Sequence, residues 1–285
     1  MICEGVARKV FGMRVGIVLL AMGLVTASGA RAQLGAAGAT TEAEVSARLA
    51  GQPLLLRGFW AEDKLEFDAD GKPVKSYAVG PFTLAGFEET SVKIKGNNLM
   101  IEGKRVGLIF NDHKTASRVT IPVSKKDASP EKLSIVIDGD RGGDFSKALD
   151  AIFAARLQDI AETLPFYWQG FARKNILHED DPAGPKTPAA PYHVGGDVKP
   201  PKLVKEFDPA FTEAARRLKY SGHTEVHLVA ETDGKPGYIS IVKPIGLGLD
   251  EQAVAATSRY LFKPATLNGT PVRVELYVDV NFQIY

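Results

Sequence analysis

Apolar and polar residues alternate most sharply at the C-terminal end of the chain. Val272, Val274, Leu276, Val278, Val280, Phe282 and Ile284 are interleaved with Arg273, Glu275, Tyr277, Asp279, Asn281 and Gln283. This is the period of a strand with one face in a core and the other in water. Upstream, Phe211, Ala214, Ala215 and Leu218 recur at helical spacing behind Thr212, an N-cap residue. Arg216, Arg217 and Lys219 suit the C-terminal pole of that helix, and Gly222 is expected to end it. Two extended runs, 224–231 and 237–243, flank Asp233-Gly234-Lys235-Pro236, which supplies the glycine and proline of a hairpin loop. A second helical stripe, Leu249, Ala253, Ala256 and Tyr260, starts at Asp250 and Glu251, with Pro264 as its expected stop. The order helix, strand, strand, helix, strand over residues 199–285 predicts an α+β unit, a small antiparallel sheet with two helices on its apolar face.

Residues 42–172 read as a separate β-rich domain with shorter strands. Candidates are 54–59, 64–67, 74–78, 91–94, 99–101, 105–110, 118–122 and 132–137, with local hairpins at Asp70-Gly71-Lys72-Pro73 and at Glu102-Gly103-Lys104. A small barrel or sandwich is expected, followed by one long helix over 144–163 with Asp144 as N-cap and Leu149, Ile152, Phe153, Leu157 and Ile160 buried. Phe166, Tyr167, Trp168 and Phe171 then cluster. They are expected to pack against the β-domain, with a ligand platform as the alternative.

Residues 173–198 form the expected linker, with prolines crowded from Asp180 to Pro201. Such a segment is a semi-rigid spacer of about 3 Å per residue where extended. Two independent units joined by a protease-sensitive hinge follow from this, with a fragment released near Tyr192. Residues 1–32 carry a basic start, an apolar run from Val15 and the exit Ala30-Arg31-Ala32, which indicates a secretory signal cut before Gln33. The alternative is a short signal anchor, but Val15 to Ala30 falls below the roughly 20 residues of a membrane span.

A net charge of +1 over 285 residues argues against a nucleic-acid surface. The only cysteine, Cys3, lies in the signal, so a cleaved chain has neither a disulfide nor a thiol nucleophile. The loop 138–144 is acidic and glycine-rich, but Leu149 stands where a calcium loop needs glutamate, so a turn is expected. His223 and His227 are four apart on a predicted strand, too far separated for one metal ion. His113, His178 and His193 sit in polar contexts and are expected to be solvated. No nucleophile elbow, zinc helix, phosphate loop or dinucleotide fingerprint occurs. The expectation is a binding protein, with no catalytic residue, cofactor or metal.

The C-terminal residues also carry a resemblance. Pro209 and Phe211 before the first helix, Ala215-Arg216, Lys219-Tyr220-Ser221-Gly222, Asp233-Gly234-Lys235-Pro236, Gly248-Leu249-Asp250, Tyr260-Leu261-Phe262-Lys263-Pro264-Ala265, Gly269-Thr270-Pro271-Val272 and Asn281-Phe282 follow in an order and spacing that resemble the C-terminal domain of TonB-type energy transducers. Tyr260 stands where many relatives carry tryptophan. The region 42–172 resembles the leading domain of some bacterial TonB-family proteins, which names no activity. The resemblance implies a periplasmic protein that takes the N-terminal segment of an outer-membrane TonB-dependent receptor, or of a similar envelope protein, onto its last strand by strand addition. With an uncleaved N-terminus it also implies an inner-membrane proton-channel complex as partner. Because the even positions of the last strand face the core, Arg273, Glu275, Tyr277, Asp279 and Asn281 are the candidate selectivity residues. The alternative function is a soluble envelope interaction or scaffold module without energy transduction.

Overall fold

In the computed structural model, which describes residues 38–139, 143–179 and 190–284, the first half of the chain is built on one sheet. The signal, its cut site, the centre of the acidic glycine loop and most of the proline-rich segment lie outside the described residues. Helix α1 (Glu42–Leu49) opens at Thr41, whose hydroxyl accepts from the Glu44 amide while Glu44 accepts from the Thr41 amide. That reciprocal pair satisfies two helix-end donors. The strands are β1 (Leu55–Leu56), β2 (Lys64–Phe67), β3 (Gly86–Lys95), β4 (Asn98–Phe110), β5 (Ala116–Thr120) and β6 (Lys132–Asp138). Helix α2 (Ser146–Ile152), strand β7 (Phe153–Ala154) and helix α3 (Phe166–Phe171) complete this half. The strand order is β2-β6-β4-β3-β1-β7, with β5 also paired to β4.

Two expectations fail here for packing reasons. No turn forms at Glu102-Gly103-Lys104, because β4 runs straight through it. A Cβ on Gly103 would sit 2.3 Å from the Phe87 ring, so this glycine makes room for an aromatic side chain and does not bend the chain. The long helix 144–163 breaks after Ile152. Phe153 turns extended, pairs with β1, and stacks its fully buried ring on Phe87 at 5.3 Å. Strand pairing and aromatic burial there outweigh continuation of the helix, and the Asp144 carboxylate caps only locally, by accepting from the Ser146 amide.

The second half contributes β8 (Val198–Lys199), β9 (Lys202–Lys205), α4 (Glu213–Leu218), β10 (Gly222–Ala230), β11 (Pro236–Lys243), α5 (Leu249–Thr257), β12 (Leu261–Lys263), β13 (Ala265–Leu267), β14 (Thr270–Val272) and β15 (Val274–Phe282). Thr212 caps α4 as expected, accepting from the Ala215 amide. Lys219, at φ 51°, ends it, so Gly222 begins β10 and does not stop the helix. Helix α5 ends at Thr257, seven residues before Pro264, and the chain extends again from Leu261. β10 and β11 form the predicted hairpin, and β15 joins β10 to give the antiparallel order β11-β10-β15. Ala215 of α4 and Leu249 and Ala253 of α5 share one buried cluster with Val226, Val280 and Phe282, which places both helices on the apolar face of this sheet.

The two halves belong to one compact unit, which corrects the expectation of independent bodies on a hinge. β3 leaves β4 at Val106, and the vacated edge is taken by residues 245–247. The Phe110 amide donates to the Ile245 carbonyl at 3.1 Å and the Leu247 amide donates to the Leu108 carbonyl at 2.9 Å. Gly246 permits this approach: its φ is +94°, and a Cβ would lie 2.1 Å from the Leu108 oxygen. The Gly248 amide donates to the buried Thr83 hydroxyl, and Arg217 pairs with Glu131 at 2.6 Å.

Candidate functional site

The edge of β15 away from β10 is the open one. The register with β10 runs without a bulge from Gly222 opposite Phe282 to Ala230 opposite Val274. At its start, the Glu275 amide donates outward to the Tyr192 carbonyl and the Tyr192 amide donates to the Arg273 carbonyl. The main chain of odd-numbered residues therefore points away from β10, and that of even-numbered residues bonds to it. His227 and Tyr277, which face each other across the pair, have ring centroids only 5.1 Å apart, as expected for a non-hydrogen-bonded pair. Among the described residues no strand pairs with the outer edge of β15, and Tyr192 meets it at Val274 alone.

The same odd residues carry the outward side chains. Tyr277 is 62% exposed, and Asp279 and Asn281 are exposed beside it, while Val280 and Phe282 are buried beneath. From Tyr277 to Asn281 this edge presents outward amides and carbonyls that no described strand pairs, together with an aromatic ring, a carboxylate and an amide.

Residues 208–284 match the family described as "Gram-negative bacterial TonB protein C-terminal". This segment is a TonB C-terminal domain. A solution NMR structure of the C-terminal domain of Pseudomonas aeruginosa TonB is 18% identical, covering 32% of this chain and 90% of that one, with a TM-score of 0.26. No curated protein matches the chain.

Within the TonB C-terminal domain the five candidate residues divide into two groups. Arg273 precedes β15 and forms a two-point ion pair with Glu231, Nε to Oε2 at 2.6 Å and NH2 to Oε1 at 3.0 Å. Glu275 lies between His227, at 3.4 Å, and the ring of His193. Arg273 and Glu275 therefore already have side-chain partners at the Tyr192 end, whereas Tyr277, Asp279 and Asn281 are exposed. His193 is exposed, as its polar context implies, and its ring still reaches Glu275. Its contact depends on the turn after Tyr192, where Gly195 and Val198 exchange main-chain hydrogen bonds. No apolar period marks such a turn.

Buried charge holds the domain's other side. Asp250 of α5 is fully buried and accepts from the Ile245 amide at 2.9 Å and the Gly246 amide at 2.7 Å, fixing the segment that bonds to β4. Burial pushes its pKa up to about 6 against the pull of those amides. Glu251 accepts from the Trp168 indole at 2.8 Å. The residue as a whole is half-buried, but its Oε2 is buried and has no hydrogen-bond partner among the described residues. Burial first, then the Asp250 charge, raises Glu251 to about 7. The aromatic group is thus a packing element, as expected, but it packs on both halves. Trp168 is fully buried against Phe82, Phe110 and Phe171, and Phe166 meets Tyr238 of β11 at 6.0 Å.

Proposed function

We propose that the chain is a periplasmic binding protein that captures an extended segment of an outer-membrane receptor as a fourth strand beside β15, in the service of TonB-dependent transport. The observation that supports this reading most is the coincidence, from Tyr277 to Asn281, of free outward main-chain groups with exposed side chains on a strand whose other face is core. Main-chain bonding would supply affinity and tolerate sequence variation, and the three side chains would select among segments. Because Tyr192 occupies the edge at Arg273 and Glu275, an added strand would be anchored on the stretch from Tyr277 onward.

Amide hydrogen exchange with a synthetic peptide of a receptor N-terminal segment tests the proposal. Saturating peptide should slow the amides of Tyr277, Asp279 and Asn281, which have no partner on β10, and leave those of Leu276 and Val278 close to their already protected rates. Protection that appears elsewhere, with the three odd amides unchanged, would refute docking at this edge.

A further inference from the structure

A cavity of about 610 Å³ lies between the β4–β5 end of the N-terminal sheet and the segment that follows β7, and none of its lining residues belongs to β15. Its size is within the roughly 300–1,000 Å³ of small-molecule sites. The floor is apolar: Leu55, Leu108, Phe110, Phe171 and Ile176 line it and are all buried. The mouth is cationic. Lys114, Arg118, Arg156 and Lys174 border it together with His113 and His178, and among the described lining residues there is no carboxylate.

Arg156 is compensated by Asp159 at 2.7 Å. Arg118 is not compensated in that way. Its half-buried guanidinium donates to the Phe87 carbonyl at 2.9 Å and to the Leu54 carbonyl at 3.3 Å, so it rests on neutral acceptors. Burial lowers its pKa, with Glu88 opposing. A desolvated cation on neutral partners is a costly arrangement that an anion at the mouth would relieve. The backbone is unusual at the same place. Residues Ala172–Ile176 form a π-turn closed by the Leu177 amide on the Ala172 carbonyl, and Lys114 and His178 stand at φ 61° and 56°. π-turns and left-handed non-glycine residues both cost conformational energy and concentrate where a site depends on them.

We propose that this cavity binds a single-chain fatty carboxylate, its tail on the apolar floor and its head at Lys114, Arg118 and Lys174. An apolar floor alone would take any small hydrophobe; the excess of cations at the mouth selects an anionic head over a neutral or cationic one.

Calorimetric titration of the whole chain with monomeric dodecanoate, below its micellar concentration, tests this. One saturable site is expected, with affinity falling about fourfold for each methylene removed along the series to octanoate. Dodecyltrimethylammonium should not bind. The double variant Lys114→Glu, Lys174→Glu, with a melt matching the parent, should bind dodecanoate about tenfold more weakly. Equal binding of the cationic amphiphile, no dependence on chain length, or unchanged affinity in the folded double variant would each overturn the proposal. Retention on phosphatidylglycerol vesicles without uptake of monomeric dodecanoate would overturn it too, by assigning the cations to a lipid surface. The chain-length series needs no variant, so a poorly folded mutant does not blunt the test.

Discussion

Glu251→Gln isolates the charge between the two halves. In the folded chain Glu251 titrates near 7 against an ordinary 4.5, raised mainly by burial of its carboxylate. At 1.36 kcal/mol per pH unit, that difference corresponds to about 3 kcal/mol. The folded pKa is the higher one, so below about 4.5 both states hold the proton and the stability is fully present. As pH rises, the unfolded chain ionises first, and stability is lost progressively until the folded carboxyl also ionises near 7. Glutamine keeps the acceptor for the Trp168 indole and cannot ionise. Its amide nitrogen, in the place of the partnerless Oε2, offsets part of the gain. Urea unfolding at pH 5, 6 and 8 should therefore show the parent losing stability across the whole interval. The variant should be more stable than the parent at pH 8 by about 1–3 kcal/mol. Asp250, raised to about 6, still titrates in the variant, so its remaining loss should be confined below that pH. A parent curve that is flat from pH 5 to 8, or a variant that keeps the loss between pH 6 and 8, would refute the assignment of a buried, proton-holding carboxyl.

Proline on β15 should separate fold from capture by parity. Tyr277→Pro and Asp279→Pro remove only outward donors and should melt cooperatively while losing receptor-peptide binding, whereas Val278→Pro removes a bond to β10 and should unfold the TonB C-terminal domain, as read by thermal melts beside peptide titration. Gly246→Ala forces a side chain against the Leu108 carbonyl at a left-handed φ and should cost more than about 2 kcal/mol in urea unfolding; a neutral result would mean that the 245–247 segment does not hold the halves together. A single protease cut within residues 180–189 should give two fragments that co-elute on gel filtration, because the main-chain bonds between 108–110 and 245–247 and the Trp168–Glu251 contact do not pass through that segment. Release of a free C-terminal fragment would contradict this.

The second half could be read from the sequence because each of its elements buries its own stripe against its chain neighbours. Thr212, the 233–236 loop and the alternation from Val274 to Phe282 all report local geometry. The first half was less legible, because glycine and aromatic residues there serve long-range packing. Gly103 reads locally as a turn and is instead the space under Phe87. Phe153 reads as a helical stripe residue and is instead a strand residue stacked on that same ring. The strand 98–110 was divided in two for the same reason: a strand that pairs on both sides tolerates a glycine that an isolated hairpin would turn on.

The contact between the halves had no local signature at all. Gly246 and Gly248 look like ordinary loop residues, and Asp250 and Glu251 look like favourable charges at a helix start. Only the tertiary arrangement brings Gly246 against β4 and Gly248 against Pro81 and Thr212, and makes Asp250 and Glu251 buried acceptors. This placement bears on the docking edge. β11, at the far side of the three-stranded sheet, is covered by α3, and the loop between β11 and α5 is bonded into the N-terminal sheet. On the proposal that a partner strand adds to β15, a segment bonded there would be joined through β10, β11 and the 245–247 bonds to the N-terminal sheet. The alternating pattern of β15 announced a strand with a wet face. Its standing as an open edge follows from the register, which turns the odd-numbered main chain away from β10, and from the absence of a described strand beyond it.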